Sequence, residues 1–184
     1  MVEVEQKFRG VVFAELEQRL RGMGAVEGER RAEADQYFNA PDRDFARTDE
    51  ALRIRRIGAS NRVTYKGPKR DLQTKTRTEI EVSLGDGDEA AHDFARLLVH
   101  LGYRPVAVVR KNRRPFHLER DGFSLEVTLD DVADVGQFAE LEIGVAEDQV
   151  DAARSTLQRA AAELGLTDSE RRSYLELLLA RQAI

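Results

Sequence analysis

The chain opens with Val2-Glu3-Val4-Glu5-Gln6-Lys7-Phe8, an E-x-E-x-K run in which charged side chains stand at every second position. On a β-strand, residues two apart share a face, so the two glutamates and the lysine point to one side while the valines and the phenylalanine point to the other. This stretch therefore predicts a strand with one charged face and one apolar face.

The same placement of charge recurs along the chain. Six later segments follow it: Leu52-Arg53-Ile54-Arg55, Arg62-Val63-Thr64-Tyr65-Lys66, Arg77-Thr78-Glu79-Ile80-Glu81, Lys111-Asn112-Arg113, Leu125 to Asp130 with Glu126, and Glu140-Leu141-Glu142. The recurrence predicts a sheet whose strands all carry charge on one face.

Two architectures fit such strands. In the first, the charged face lies in water and its ion pairs contribute only a fraction of a kcal/mol each. In the second, the apolar faces pack against helices and the charged faces turn toward each other. Segregation of the charges favours the second, because bases and paired carboxylates stand in separate segments, and like charges at i and i+2 repel. Such strands need counter-ions from outside the strand.

A sheet that closes on itself in this way cannot bury its charges dry, since each uncompensated ion costs several kcal/mol. Its interior must be wet or occupied, and a barrel of about eight strands leaves room for one small ligand. Carboxylates bind hard cations such as Mg²⁺ or Mn²⁺, while arginine and lysine bind phosphate oxygens. The inferred ligand is a polyphosphate held together with divalent metal.

Composition narrows the class of protein. With 184 residues, 41% of them hydrophobic, and no linker-like stretch, the chain predicts a single domain over residues 1–184. A net charge of −5 argues against nucleic acid as a partner. There is no cysteine, no signal-peptide pattern and no apolar run of membrane length, so we expect a cytoplasmic protein with no membrane partner.

The pattern of elements predicts an α+β fold in which strands dominate and helices cover them. Two neighbouring segments, Pro105 to Arg114 and Pro115 to Glu119, read as separate strands, and Asp35 to Asn39 reads as a short one. Thr167-Asp168-Ser169-Glu170 is a capping-box pattern that predicts the start of the last helix. Residues 69–75 read as an exposed loop, whose bases are either solvated or a basic rim that attracts anions.

Taken in order, these motifs resemble the CYTH domain, the superfamily of class IV adenylyl cyclases and thiamine triphosphatases, also called triphosphate tunnel metalloenzymes. The resemblance covers essentially the whole chain and is closest to the class IV cyclase branch. It rests on the motifs above together with Asp35-Gln36-Tyr37-Phe38, Tyr65-Lys66-Gly67-Pro68, Leu129-Asp130, Phe138 to Glu142, and Arg172-Ser173-Tyr174-Leu175-Glu176-Leu177.

The resemblance implies a closed eight-stranded antiparallel β-barrel with a charged lumen, covered by helices. The positions that match metal ligands are Glu3, Glu5, Asp130, Glu140 and Glu142, with Glu79 and Glu81 as further metal-site carboxylates. The positions that match the triphosphate-binding bases are Lys7, Arg53, Arg55, Lys66, Lys111 and Arg113, with Arg77 on a further lumen strand. The implied catalytic set is Glu3, Glu5, Lys7, Arg53, Lys66, Lys111 and Arg113.

The implied activity is metal-dependent and acts on a small-molecule triphosphate, with Mg²⁺ or Mn²⁺ as cofactor. The first candidate is a class IV adenylyl cyclase, which converts ATP to cyclic AMP and pyrophosphate. The alternatives are a triphosphatase of thiamine triphosphate or inorganic triphosphate, and a non-catalytic polyphosphate-binding module. Whether the protein is a homodimer is left open.

Overall fold

The computed structural model describes residues 2–68 and 77–182, so the predicted loop and its bases Lys69, Arg70 and Lys75 lie outside the described residues. The described chain contains nine strands: β1 (Val2–Arg9), β2 (Val26–Glu27), β3 (Arg31–Asn39), β4 (Ala51–Ile57), β5 (Ser60–Lys66), β6 (Glu79–Ser83), β7 (Arg104–Arg120), β8 (Phe123–Val132) and β9 (Gly136–Val145). Its α-helices are α1 (Phe13–Gly22), α2 (Phe45–Thr48), α3 (Asp88–His100), α4 (Val150–Glu163) and α5 (Tyr174–Gln182).

All nine strands belong to one antiparallel sheet that curls into a half-barrel, as predicted for the α+β class. The order across it is β1-β9-β8-β7-β3-β4-β5-β6, and the two-residue β2 pairs with β7. β1 and β6 are the two ends of this order, and an isolated antiparallel bridge joins Glu3 of β1 to Arg77, just ahead of β6. A barrel closed along its whole length stays a prediction.

The apolar face of the opening strand packs against helices, as its alternation predicts. Val4 and Phe8 are buried in one cluster with Leu16 and Leu20 of α1 and Leu157 of α4. Of these, Val4, Leu20 and Leu157 are fully buried. Complete burial of such side chains contributes about 1.5–3 kcal/mol each, so this cluster fixes which face of the sheet is turned away from the helices.

The opposite face of the sheet is charged along most of its length but becomes apolar at one end. Tyr37 has the strand parity of Asp35, Val109 that of Lys111, and Phe138 that of Glu140. These three apolar residues are buried in a cluster with the residues of α5 that face the sheet, which are Tyr174, Leu177 and Leu178. Helix α5 therefore covers this end of the charged face.

The sequence prediction was wrong about β7, which is a single strand of 17 residues and not two. Pro115 lacks an N–H donor, but it lies where the partner of β7 changes from β3, which pairs as far as Arg113, to β2, which pairs from Phe116. In an antiparallel strand the N–H and C=O of one residue point to the same side. The Pro115 carbonyl accepts from Gly28 N at 2.8 Å. The N–H that proline lacks would point to this same side, into the gap between β3 and β2.

The predicted start of the last helix was also wrong. Helix α5 begins at Tyr174, and the reciprocal capping box is formed by Ser173 and Glu176. Glu176 N donates to Ser173 Oγ at 3.1 Å, and Ser173 N donates to Glu176 Oε2 at 2.6 Å. The segment that carries the predicted box instead lies along β1, where Arg9 N donates to Asp168 O at 2.9 Å and Glu170 N donates to Lys7 O at 2.8 Å.

No helix among the described residues is long and apolar enough to span a membrane.

Candidate functional site

Four basic side chains on the charged face form one group, which we call the basic cluster: Arg53, Arg55, Lys111 and Arg113. They come from β4 and β7, the two strands that flank β3 in the sheet. Their side chains are at most 11% exposed. The structure therefore brings together four of the bases that the sequence singled out.

Acids from neighbouring strands hold the two arginines of β4. Register places Asp35 of β3 opposite Arg55. Arg55 donates from Nε and Nη2 to the two carboxylate oxygens of Asp35, both at 2.7 Å, and Arg53 Nη1 lies 3.4 Å from Asp35 Oδ2. A bidentate pair of this kind fixes the plane of the guanidinium as well as its position.

The bases of β7 are held in the same way. Arg113 donates to both oxygens of Asp130, at 2.7 and 2.5 Å, and to Glu140 Oε2 at 2.6 Å. Lys111 Nζ lies 3.2 Å from Glu33 Oε2 and 3.8 Å from Asp130 Oδ2. The bases thus have counter-ions on neighbouring strands, although they have none on their own strand.

The charges of the basic cluster lower the pKa values of the neighbouring acids. Burial opposes ionisation of Glu33, but Lys111, Arg55 and Arg113 outweigh it and lower the Glu33 pKa to about 2. The same balance of burial against Arg53 and Arg55 lowers the pKa of Asp35 far below its usual range. Burial, then repulsion by Arg113, lowers the pKa of Lys111.

A second group, which we call the carboxylate cluster, consists of Glu3, Glu5, Glu79 and Glu142. Glu5 pairs with Glu142 across β1 and β9, and Glu79 pairs with Lys66 across β6 and β5. Lys66 Nζ also donates to the Glu79 carboxylate. The cluster therefore draws on both ends of the strand order, and the predicted base Lys66 is ion-paired to it.

Burial and mutual repulsion oppose ionisation of two members of the carboxylate cluster. Burial, followed by repulsion from Glu79, raises the pKa of Glu3. Burial, followed by repulsion from Glu3 and Glu5, raises the pKa of Glu142. Crowded carboxylates with raised pKa values are stabilised by any cation that enters between them.

In the conformation described, no set of three or more acidic or histidine side chains within residues 2–68 and 77–182 is already arranged as a metal site. The chemistry of the donors nevertheless fits a hard divalent cation, because the carboxylate cluster offers oxygen ligands alone and its members repel one another. The predicted ligands Asp130 and Glu140 are engaged by Arg113. The carboxylate oxygens of Glu81 are held by Arg62 at 2.7 Å and Thr64 at 3.2 Å.

Lys7 and Arg77 lie at the margins of these two clusters. Lys7 is 1% exposed, and its ammonium donates to the backbone oxygen of Arg172. Arg77 is 8% exposed, and its Nη2 lies 3.8 Å from Asp49 Oδ1. Both residues are buried, Lys7 on β1 and Arg77 just ahead of β6.

Sequence reasoning missed Glu33 and Asp35, which hold three of the bases. A signal for them was present, because Glu33 and Asp35 stand two apart, as Arg53 and Arg55 do, and thus share a strand face. The short predicted strand at 35–39 left Glu33 out, whereas β3 begins at Arg31.

Comparison with known proteins places the chain in a family. The model of the CYTH domain matches residues 1–174. The curated Methanocaldococcus jannaschii protein "Putative adenylate cyclase MJ0240" is 36% identical over 180 residues, which are 96% of this chain and 98% of that protein.

Solved structures agree with this match. PH1819 from Pyrococcus horikoshii is 38% identical, with a TM-score of 0.85 over 97% of this chain and 99% of that one. HpAC1 from Hippeastrum is 13% identical and shares the fold, with a TM-score of 0.68 over 97% of this chain and 95% of that one. The extent of the family match and the identity to the archaeal relative together show that this chain belongs to the CYTH domain family.

Proposed function

We propose that this protein is a metal-dependent enzyme that acts on a triphosphate, with the cyclisation of ATP to cyclic AMP and pyrophosphate as its first candidate reaction. The observation that carries the proposal is the presence of the basic cluster and the carboxylate cluster on one charged face. The name of the M. jannaschii relative supports the choice of reaction. The site residues and their roles below are part of the proposal.

The basic cluster would bind the phosphate oxygens. Arginine presents a planar pair of donors to an oxyanion, and Arg53, Arg55 and Arg113 are already oriented by carboxylates. Pre-oriented charges act on a phosphoryl group without reorganising during the reaction. Lys7, Lys66, Lys111 and Arg77 would add positive charge around the same chain of phosphates.

The carboxylate cluster would hold Mg²⁺ or Mn²⁺ through Glu3, Glu5 and Glu142, with Glu79 beside them. When bound, such an ion neutralises phosphate oxygens and lowers the pKa of an attacking hydroxyl or water. Metal binding by Glu81, Asp130 and Glu140 stays a prediction. In the described conformation, Asp130 and Glu140 orient Arg113.

In the cyclase reaction, the ribose 3′-hydroxyl attacks the α-phosphorus in line. A new oxygen–phosphorus bond forms, the bond from the α-phosphorus to its bridging oxygen breaks, and pyrophosphate leaves with the electron pair. The chain's part is to hold the phosphates in line and to neutralise charge on the leaving group. The hydroxyl proton passes to a base that the described contacts do not single out.

Hydrolysis of thiamine triphosphate or inorganic triphosphate is the second candidate. The contacts that build the two clusters are almost all between charged side chains, and charged side chains recognise phosphate oxygens whatever group the phosphates carry. In this reaction a water attacks the terminal phosphorus and the same bases neutralise the leaving group. A module that binds polyphosphate without turnover would use the same contacts.

Product analysis tests the proposal. Purified protein is incubated with ATP, thiamine triphosphate or inorganic triphosphate, with Mg²⁺, Mn²⁺ or EDTA, and the products are separated by chromatography. Cyclic AMP with pyrophosphate supports the cyclase, and orthophosphate from the other substrates supports the triphosphatase. Binding without turnover supports the module, and the absence of both binding and turnover refutes the proposal.

Adjacent arginines on β4 provide a matched control. Arg55 belongs to the basic cluster, whereas Arg56 points to the other face and pairs with Asp88. Arg55→Ala should lower triphosphate turnover by at least about tenfold, the effect of losing about 1.4 kcal/mol of transition-state stabilisation, and Arg56→Ala should not. Equal activity of the two variants would contradict the role of the basic cluster.

The remaining expectations are that residues 1–184 act as one CYTH domain and that the protein is cytoplasmic. Gel filtration with light scattering tests whether the protein forms a homodimer.

A further inference from the structure

Tyr174, the first residue of α5, contacts Lys7 and Lys111 in a way that its place in an apolar cluster does not explain. Its ring lies under two ammonium groups, with its centroid 4.1 Å from Lys7 Nζ and 5.4 Å from Lys111 Nζ. Its hydroxyl donates to Asp130 Oδ2 at 2.9 Å. One side chain thus contacts two of the predicted triphosphate-binding lysines and the acid that orients Arg113.

Both lysines need such a partner because they are buried. Lys7 is 1% exposed and Lys111 is 5% exposed, so water does little to solvate either ammonium. An ammonium group strongly prefers water to an apolar environment, and the negative face of an aromatic ring replaces part of that solvation. The ring of Tyr174 therefore stabilises two like charges near the same point.

The ring itself is held in place from several sides. Phe138 contacts it edge to face, with the centroids 5.2 Å apart and the planes at 62°. The capping box formed by Ser173 and Glu176 fixes the start of α5 at this residue. The Arg172 carbonyl, two residues earlier, accepts from Lys7. The start of α5 thus holds the Lys7 ammonium through a carbonyl and a ring together.

We propose that Tyr174 is a positioning residue, which holds Lys7 and Lys111 where they bind the triphosphate. This inference rests on the proposed function, because it assigns the two lysines to phosphate binding. It gives α5 a part in the reaction beyond covering the end of the sheet. Leucine at this position would fill the space but would offer no negative face to the lysines.

Three variants separate the ring from its packing. Tyr174→Phe keeps the ring and removes the hydroxyl, and Tyr174→Leu keeps an apolar side chain and removes the ring. Leu178→Ala is the control, because Leu178 belongs to the same apolar cluster on the same helix. Titration calorimetry with inorganic tripolyphosphate and Mg²⁺ gives the affinity, and thermal melting gives the stability of each variant.

We expect Tyr174→Leu to raise the Kd for tripolyphosphate by about tenfold or more, which corresponds to about 1.4 kcal/mol. Tyr174→Phe should stay within about threefold of the wild type, since the ring face remains. Leu178→Ala should lower the melting temperature but leave the Kd nearly unchanged. An unchanged Kd in Tyr174→Leu, or an equal rise in Leu178→Ala, would overturn the inference.

A second measurement does not depend on the ligand. The ring current of Tyr174 should shift the ε-methylene protons of Lys7 upfield in the NMR spectrum of the wild type and of Tyr174→Phe. The shift should be much smaller in Tyr174→Leu, where the Phe138 ring, with its centroid 5.7 Å from Lys7 Nζ, is farther away. Absence of this shift in the wild type would overturn the inference whatever binds. If the shift is present but wild type binds no tripolyphosphate, the proposed function fails, and the assignment of Tyr174 to phosphate binding fails with it.

Discussion

Replacing Asp35 by asparagine should destabilise the protein strongly, because it removes the negative charge that the buried Arg53 and Arg55 share, although Glu33 still lies 3.2 Å from Arg55. Asp35 is 2% exposed, and its two oxygens accept from Arg55 at 2.7 Å while Arg53 lies at 3.4 Å. Removal of one partner of a buried ion pair costs about 3–5 kcal/mol. Asparagine has nearly the same shape, so the loss reports the charge and not a cavity.

Urea unfolding followed by circular dichroism measures this loss. With a slope of about 2–3 kcal/mol per molar urea, we expect the midpoint to fall by about 1–2.5 M. Asp42→Asn is the matched control, because Asp42 pairs with Arg43 at 3.0 Å but lies in water, with side chains 67% and 44% exposed. Its midpoint should hardly change, since exposed ion pairs contribute little.

Tripolyphosphate should restore part of the stability that Asp35→Asn loses, because the anion supplies the missing negative charge beside Arg53 and Arg55. An anion at about one hundred times its Kd adds about 2.7 kcal/mol to any state that binds it. We expect a larger shift of the melting temperature in Asp35→Asn than in the wild type. If Asp35→Asn and Asp42→Asn shift the urea midpoint equally, the basic cluster is solvated and this reasoning is refuted.

Three further predictions concern the carboxylates and α5. Glu142→Gln should raise the melting temperature in EDTA at pH 8 by about 2–4 °C, for about 1 kcal/mol of relieved repulsion, and should reduce the shift that Mg²⁺ produces. Glu33 should make the stability of the protein fall in acid. Folding lowers its pKa from 4.5 to about 2, so ionised Glu33 contributes about 3 kcal/mol to the free energy of unfolding above pH 4.5. This contribution is lost as the pH falls from 4.5 through 2. Urea unfolding at pH 7 and pH 3 should therefore show a smaller difference in Glu33→Gln than in the wild type. Ser173→Ala should cost about 1 kcal/mol in urea unfolding through the lost helix cap. Ser155→Ala should cost less, because Ser155 lies inside α4, where its hydroxyl donates to the Asp151 carbonyl at 3.0 Å and caps no helix.

Each of these has a contrary result. An undiminished Mg²⁺ shift in Glu142→Gln would remove that residue from the metal site. An identical loss of stability in acid for Glu33→Gln and the wild type would show that its ion pairs with the basic cluster contribute nothing. Equal unfolding midpoints for Ser173→Ala and Ser155→Ala would show that the capping box does not stabilise α5.

The sequence predicted well what depends on alternation along a single strand. Charges at every second position correctly separated Val4 and Phe8, which pack against helices, from Glu3 and Glu5. The ordered motifs also pointed to the CYTH family, which the family match and the archaeal relative confirm. Which residues of a strand share a face depends on that strand alone, so it can be predicted directly from the sequence.

The pairing of charges between strands could not be predicted in the same way. Asp35 meets Arg55 because β3 and β4 pair in one particular register, and nothing within either strand states that register. The bases therefore looked unpaired in sequence, although acids of β3, β8 and β9 hold them. The capping box failed for a related reason, because two S/T-x-x-E patterns precede α5 and only tertiary contacts with β1 decide between them.

The pairing of β1 has a consequence for how the chain folds as it is synthesised. Val2 pairs with Val145, and Phe8 forms an isolated bridge with Ser169. β1 is therefore synthesised long before β9 and the segment around Ser169, which are its partners, and such distant pairings are slow to form. Until those partners are made, the sequence that carries Glu3 and Glu5 is unpaired, and like charges on such a segment oppose its pairing with another copy of the chain.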